Sequence, residues 1–455
     1  MRPHKSPALV IAFLLAAFAA LWSAASIGAP PRSKTAPTSA AILPEKRRAE
    51  VTNAWQKWRI ENLLPALMRR TGIDMWLVMN REYAEDPVYF TLVPQPIMYS
   101  GGQVVLIFHD RGPEAGVELF CSAPHGVPGY KNIWRPRVGA QMQNLADFLR
   151  LKNPQRIGIN ASPTWPLADG LTASQRDKLA MALGTELSTR LTSAENLCVG
   201  WQETRSPQEL SAYKDLCRLG HEIIAEFFSN GVIMPEVTTA DEVAWWIRDR
   251  VNALGLETWF QPSVDIVRPK DRAAKSPPND GVIRRGDVLH CDFGIKYLGL
   301  CTDMQWQAYV LERGEAEVPA GIRKALDNAN RMADLFLAEF KEGRKGREIR
   351  DAALAGIAAA GLKGSIYTHP LGFYGHAAGC TIDSRDPAGI DEGNIPKWEY
   401  SLYLNTVYSI EFSCSTPVPE WGGEELRIGY EEDALYAEGV CRFIGLHQTE
   451  FLVIR

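Results

Sequence analysis

Five residues in the C-terminal half have the types and spacing for joint chemistry: Asp292, Asp303, His376, Glu411 and Glu431. Asp292 closes the run Val288-Leu289-His290-Cys291, and Asp303 opens a second β-prone run eleven residues later. His376 stands in Gly375-His376-Ala377-Ala378-Gly379, where small neighbours let other backbone come close. Glu411 interrupts Thr406–Phe412, and Glu431 follows Leu426–Tyr430. A carboxylate inside such a strand is costly to bury unless it is paired or bound to a cation. Taken singly, each residue reads equally well as part of a salt bridge. Taken together, four carboxylates and one imidazole form an oxygen-rich donor set suited to Mn, Co or Zn.

Elements must bring these residues together. Gly294 and Gly299 lie between the two aspartates, so a hairpin is the economical connection. A turn centred on Tyr297 and Leu298 would set Asp292 directly opposite Asp303, where like charges about 5 Å apart repel unless a cation neutralises them. Alternation puts Glu411 on one face with Val407 and Ser409, opposite Tyr408, Ile410 and Phe412. His290 is expected on the other face of its strand, in the core. Upstream, Ser206-Pro207-Gln208-Glu209 is a capping box with proline at the first helical position, and Thr239 with Glu242 repeats the pattern. Strand-like segments follow at 282–293 and 303–311. Helices are then expected over 319–343 and 346–360, with strands again near 407–412. Two successive helix–helix–strand units suggest an internal duplication. Residues 46–204 alternate helix and strand from Val51–Arg70 through Met75–Met79 and Gln103–His109, as in an α/β domain. The expected fold is α+β, with a duplicated α-α-β catalytic domain over 205–455 preceded by a smaller α/β domain over 46–204.

Composition narrows the function. The formal charge of −5 is spread without basic blocks, which argues against a nucleic-acid partner. The eight cysteines form no CxxC pair, so a zinc ribbon or thioredoxin-like site is not expected. Arg2 and Lys5 precede the apolar run Ala8–Leu21 and then small residues to Ala29, the order of a secretory signal peptide. That run is shorter than the roughly 20 residues a membrane span requires. Residues 1–29 are therefore expected to be a signal peptide cut near Ala25 or Ser26, and 30–45, rich in Pro, Ser, Thr and Ala, a flexible leader. The mature chain would be secreted or periplasmic, with no membrane span.

The order Asp, Asp, His, Glu, Glu resembles the pita-bread metallopeptidases, in particular the aminopeptidase P, prolidase and creatinase branch. "GDVLHCDFG" and "CTDMQW" look like its two Asp strands, "GHAAG" its histidine, "YSIEF" its first Glu and "YEEDALY" its last. The resemblance spans roughly Ser206 to Arg455, and residues 46–200 look more loosely like the creatinase-type N-terminal domain. It implies a pita-bread catalytic domain holding two divalent metals, manganese first and cobalt or zinc as alternatives. Asp292 would hold one metal, Asp303 and Glu431 would bridge, and His376 and Glu411 would complete the other. Two metals so held can activate water, lowering its pKa to about 7, and polarise a carbonyl. Glu411 would carry a proton from that water to the leaving amine. The implied activity is hydrolysis of short peptides, as an Xaa-Pro aminopeptidase or prolidase, with a homodimer compatible with the branch.

Departures from the family pattern qualify the substrate. Three outer histidines of proline-directed members fall, by distance, on Lys275, Gly372 and Asp383. Lys275 and Asp383 are thus the candidate substrate-binding residues. His369, in His369-Pro370-Leu371-Gly372, is a candidate to take over one catalytic role, or else a packed loop histidine. The arginine usual two residues before the last Glu is Gly429, with Arg427 nearby as a candidate substitute. A dinuclear amide or ester hydrolase without proline specificity, or a non-catalytic metal-binding homologue, are the alternatives.

Overall fold

Two capping boxes and one hairpin turn organise the chain around the candidate residues. The computed structural model describes residues 42–135, 140–277, 280–383 and 397–455. The expected signal peptide and most of the leader lie outside the described residues. The described residues fall within one compact unit.

The first sheet has six strands: β1 (Met75–Arg81), β2 (Gln103–Asp110), β3 (Val117–Ser122), β4 (Lys131–Asn132), β5 (Ile157–Ile159) and β6 (Leu191–Ser193), in the order β4-β3-β2-β1-β5-β6. Helices Gln141–Lys152 and Ala173–Ser188 cover one face through Leu145, Leu149, Leu179 and Leu183. Helices Leu64–Thr71 and Glu195–Glu203 cover the other through Leu67, Met68, Leu197 and Trp201. Both faces are buried, so β1 reads as an apolar run rather than an alternation.

The remaining strands are β7 (Glu257–Thr258), β8 (Ser263–Val267), β9 (Val288–Phe293), β10 (Ile295–Tyr297), β11 (Leu300–Cys301), β12 (Met304–Val310), β13 (Lys363–Leu371), β14 (Ile382–Asp383), β15 (Thr406–Pro417), β16 (Glu425–Ala437), β17 (Val440–Phe443) and β18 (Leu452–Ile454). A nine-stranded sheet contains the path β14-β13-β15-β16-β12-β9-β8, with β17 on β16 and β18 on β12. Helix Pro207–Phe227 starts at the Ser206/Glu209 capping box and helix Ala240–Ala253 at Thr239/Glu242. This pair packs on Leu289, Cys291, Phe293, Met304 and Trp306. The second pair, Ala320–Leu337 and Gly346–Ala359, packs on Ile410, Phe412, Ile428 and Tyr430. Two helix pairs over one sheet, antiparallel except where β18 joins β12, is the duplicated pita-bread arrangement expected from the resemblance.

Register is where the hairpin differs from expectation. The turn falls on Leu298 and Gly299, both with left-handed backbone (φ 52° and 77°), and Tyr297 pairs Leu300. A two-residue hairpin turn of this hand needs positive φ at both central positions, and glycine accepts one without strain. Asp292 therefore faces Gln305 rather than Asp303. Moving the turn by one residue shifts the pairing by two, which preserves the face, so both aspartates still point the same way.

One row of partners crosses the sheet: Ser263–Asp292–Gln305–Glu431–Glu411–Tyr367–Asp383. Directly opposed residues share a face. Four of the candidate residues thus lie in a single line on the face turned away from the helices.

Candidate metal centre

Next to this row lie Asp303, two residues before Gln305, and His369, opposite Ser409 and two residues after Tyr367. Three groups of potential ligands result, each with ligand atoms within 4.8 Å of one another. They are Asp292 with Asp303 and Glu431; His369 with Glu411 and Glu431; and Asp303 with His369 and His376. All five residues singled out from the sequence are included, but Glu411 falls with His369 and Glu431 rather than with His376, which is exposed and groups with Asp303 and His369. Asp303 and Glu431 each belong to two groups, which suits residues shared between two ions.

His369 also belongs to two groups. The sequence allows His369 a catalytic role or loop packing; the structure buries it among the ligands, 4.5 Å from His376 ring to ring. Its Nδ1 lies 3.1 Å from the Pro370 carbonyl, which can only accept, so Nδ1 carries the proton. In the neutral ring Nε2 then presents a lone pair, 3.9 Å from the Asp303 carboxylate. A histidine at Gly372 would be crowded, because a Cβ there comes to 3.0 Å from Arg205 and from the Gln202 carbonyl, and those neighbours would have to give way.

The electrostatics favour neutralisation of these carboxylates, by protons or by cations. Burial, then the charges of Glu431, Asp292, Asp433 and Glu411, push the Asp303 carboxyl well above the usual range. Burial, then Glu411 and Asp292, raise Glu431 likewise, opposed by hydrogen bonds from Ser409 and Gln305. Asp292 is pushed up to about 6, chiefly by burial. Asp303 Oδ1 is buried without a hydrogen-bond partner among the described residues. Crowded carboxylates with an orphaned oxygen, flanked by imidazoles, fit divalent cations.

Several expectations need correction. Lys275 does not reach this site: it is exposed and pairs with Asp271 at 3.5 Å. It shares a pocket with Asp287, five residues before Asp292, roughly 16 Å along the strand direction at about 3.3 Å per residue. β8 runs antiparallel to β9, so the connecting segment that carries Lys275 lies beyond the Val288 end of the strand, away from Asp292. Arg427 is exposed opposite Ser415, four residues from Glu431, and does not replace the arginine absent at Gly429. His290 lies on the same face as Asp292, two positions away, not in the core, and its Nε2 is 2.9 Å from Gln305 Oε1. Asp383 ends the row two strands beyond Glu411, about 10 Å away at about 4.8 Å per strand, and belongs to none of the three groups.

Other residues were missed from the sequence. Gln305 donates to Glu431 Oε2 at 2.7 Å, and Ser409 donates to Glu431 Oε1. Asp433 accepts the backbone N–H of Asp303 at 3.0 Å and the Cys217 thiol at 3.3 Å. Each stands two residues from a ligand, so alternation alone could have flagged them. Trp259, which packs edge-on against His376 at 5.3 Å, carried no such signal. Tyr374, next to the histidine loop, donates to the Pro87 carbonyl at 2.7 Å, tying that loop to the N-terminal half. All eight cysteines are buried and free.

Comparison with known families places this geometry. The model of metallopeptidase family M24 matches residues 211–438, half of the chain. The chain belongs to metallopeptidase family M24. By family it is a peptidase hydrolase, and its fold is that of the aminopeptidase P and prolidase branch. Similar solved structures include an X-Pro aminopeptidase from Thermotoga maritima MSB8, with a TM-score of 0.58 at 17% identity, covering 85% of this chain and 99% of that one. An Xaa-Pro dipeptidase from Bacillus anthracis aligns with a TM-score of 0.55 at 16% identity, over 90% and 99% of the two chains. A dipeptidase from Pyrococcus horikoshii OT3 aligns at 0.56 and 18% identity, over 86% and 99%. Comparison with curated proteins gave no match.

Proposed function

We propose that this M24 member is an exported metallopeptidase that hydrolyses short peptides at a two-metal centre, as an Xaa-Pro aminopeptidase or prolidase. The observation that carries the reading is the set of three ligand groups joined through Asp303, Glu431 and His369. Asp292, Asp303, Glu431, Glu411, His369 and His376 would hold the ions. Manganese suits a set richer in carboxylate than in imidazole. Bound there, the ions supply Lewis acidity for the scissile carbonyl and lower the pKa of water.

The chain's own residues do the rest. Glu411, half-buried at the edge of the cluster, is placed to take a proton from the attacking water and hand it to the leaving amine. Trp259, against His376, walls one side of the approach. Asp383, at the end of the row, is in line to meet a substrate group beyond Glu411. The division at 46–204 and 205–455, the signal peptide at 1–29, a secreted or periplasmic location and a homodimer complete the proposal. Among the described residues, no helix is long and apolar enough to cross a membrane.

A second reading keeps the metals and relaxes the substrate to non-proline amides, since no histidine stands at Gly372 or Asp383, the positions counted from His376, and Lys275 lies away from the site. The test is a panel of Xaa-Pro peptides, other dipeptides and small amides with Mn-loaded enzyme. Preference for Xaa-Pro supports the first reading, and equal or better turnover of the others supports the second. Absence of bound divalent metal, or an Asp303→Ala variant with full activity, would overturn both.

A further inference from the structure

The loss of the family arginine at Gly429 has a local counterpart. A Cβ built at Gly429 would lie 2.8 Å from His290 Nε2 and 2.9 Å from Gln305 Oε1. A side chain here would push one or both aside, so the open space at Gly429 lets these two groups meet in front of Glu431. They form a chain: His290 Nδ1 lies 3.2 Å from Asp265 Oδ2, His290 Nε2 lies 2.9 Å from Gln305 Oε1, and Gln305 Nε2 lies 2.7 Å from Glu431 Oε2. The direction of the chain follows from its end. As an ionised ligand Glu431 only accepts, so Gln305 must present its NH₂ to it and its carbonyl to His290. His290 Nε2 must therefore carry a proton. Ser409 donates to the other Glu431 oxygen. Each oxygen then receives one hydrogen bond, which fixes the carboxylate plane and leaves its remaining lone pairs for cations.

We propose that His290 and Gln305 are positioning residues that hold the Glu431 carboxylate in the orientation a shared metal ligand requires, using the space that Gly429 leaves open. Partners behind a metal ligand orient it, and their loss typically weakens metal binding or activity by about 10–100-fold. The inference rests on the two-metal reading above.

The test is calorimetric titration of the metal-free, full-length folded protein with Mn²⁺ alone, for the parent, His290→Leu, His290→Gln and Gln305→Leu, with circular dichroism and thermal midpoints recorded in parallel. His290→Leu and Gln305→Leu are expected to weaken Mn²⁺ binding by about 10–100-fold with unchanged circular dichroism. His290→Gln, whose amide nitrogen reaches the position of Nε2, is expected to recover most of that loss, and with Mn²⁺ in excess kcat rather than KM follows the same order. A His290→Leu variant with parental affinity, or a His290→Gln variant as impaired as His290→Leu, overturns the proposal while the two-metal reading stands. A parent that binds no Mn²⁺ overturns that reading and this proposal with it. Should Gln305→Leu fail to fold, the pair at the half-buried His290 decides the matter alone.

Discussion

Asp303→Asn separates what the site does for metal from what it costs the fold. Asp303 is 4% exposed, and its Oδ1 lacks a partner among the described residues. A buried polar atom left unsatisfied costs about 1–3 kcal/mol, and here the charges of Glu431, Asp292 and Glu411 add to it. An amide of the same shape removes the charge and keeps the packing. With chelator present, the variant should match the parent or exceed it by up to about 2 kcal/mol, the usual sign when a functional site is relieved of its strain. With Mn²⁺ at about 100 times Kd, the parent should gain about 2.7 kcal/mol per site, and the variant far less, with peptide hydrolysis lost. Urea unfolding midpoints in chelator and in Mn²⁺ measure both differences. A variant that loses more than about 1 kcal/mol in chelator, or gains as much from Mn²⁺ as the parent, would refute the reasoning. The pH dependence has a definite sign. Burial and neighbouring carboxylates raise the Asp303 and Glu431 carboxyls in the metal-free protein, so stability from their neutral forms is present at low pH and lost as pH rises. Cations must displace those protons, so Mn²⁺ affinity should rise with pH.

Burial raises Glu203 from 4.5 to about 8 while Tyr400 donates to it at 2.9 Å. Its contribution to stability should be complete below pH 4.5 and disappear as pH approaches 8, and Glu203→Gln should flatten that slope in urea midpoints taken across the window. Glu209 faces both Arg59, at 2.8 Å, and Arg205, at 3.5 Å, with all three side chains at most 1% exposed. Burial leaves Arg59 lowered to about 10, whereas Glu209 is lowered because two guanidiniums together outweigh the burial that would raise it. Glu209→Gln should therefore cost about 3–5 kcal/mol, with part recovered on adding Arg59→Met; a double-mutant cycle with no coupling would count against the pair. Lys275→Ala should leave kcat/KM on peptides within about twofold of the parent, given a tip that faces solvent; a tenfold drop would return it to the site.

Much of this was legible in the residues because it is local. The Ser206/Glu209 and Thr239/Glu242 caps need only neighbours along the chain, and both form as read. Alternation placed Glu411 with Ser409 whatever strand lies beside them. The ordered Asp, Asp, His, Glu, Glu set pointed to the family. What the residues could not disclose was which rows of different strands would meet. The hairpin turn slid by one residue to put Gly299 where φ is positive, so Gln305 rather than Asp303 came to face Asp292. Pairing of β13 with β15 set His369 opposite Ser409 and drew it among the ligands, while the antiparallel return along β8 carried Lys275 to the far end of the sheet. Gly429 acquired meaning only when His290, from a strand more than a hundred residues earlier, arrived in the space it leaves. The face a side chain occupies is decided by its own strand, but the groups it meets are decided by pairing between segments distant in sequence, where packing of both helix pairs selects the register.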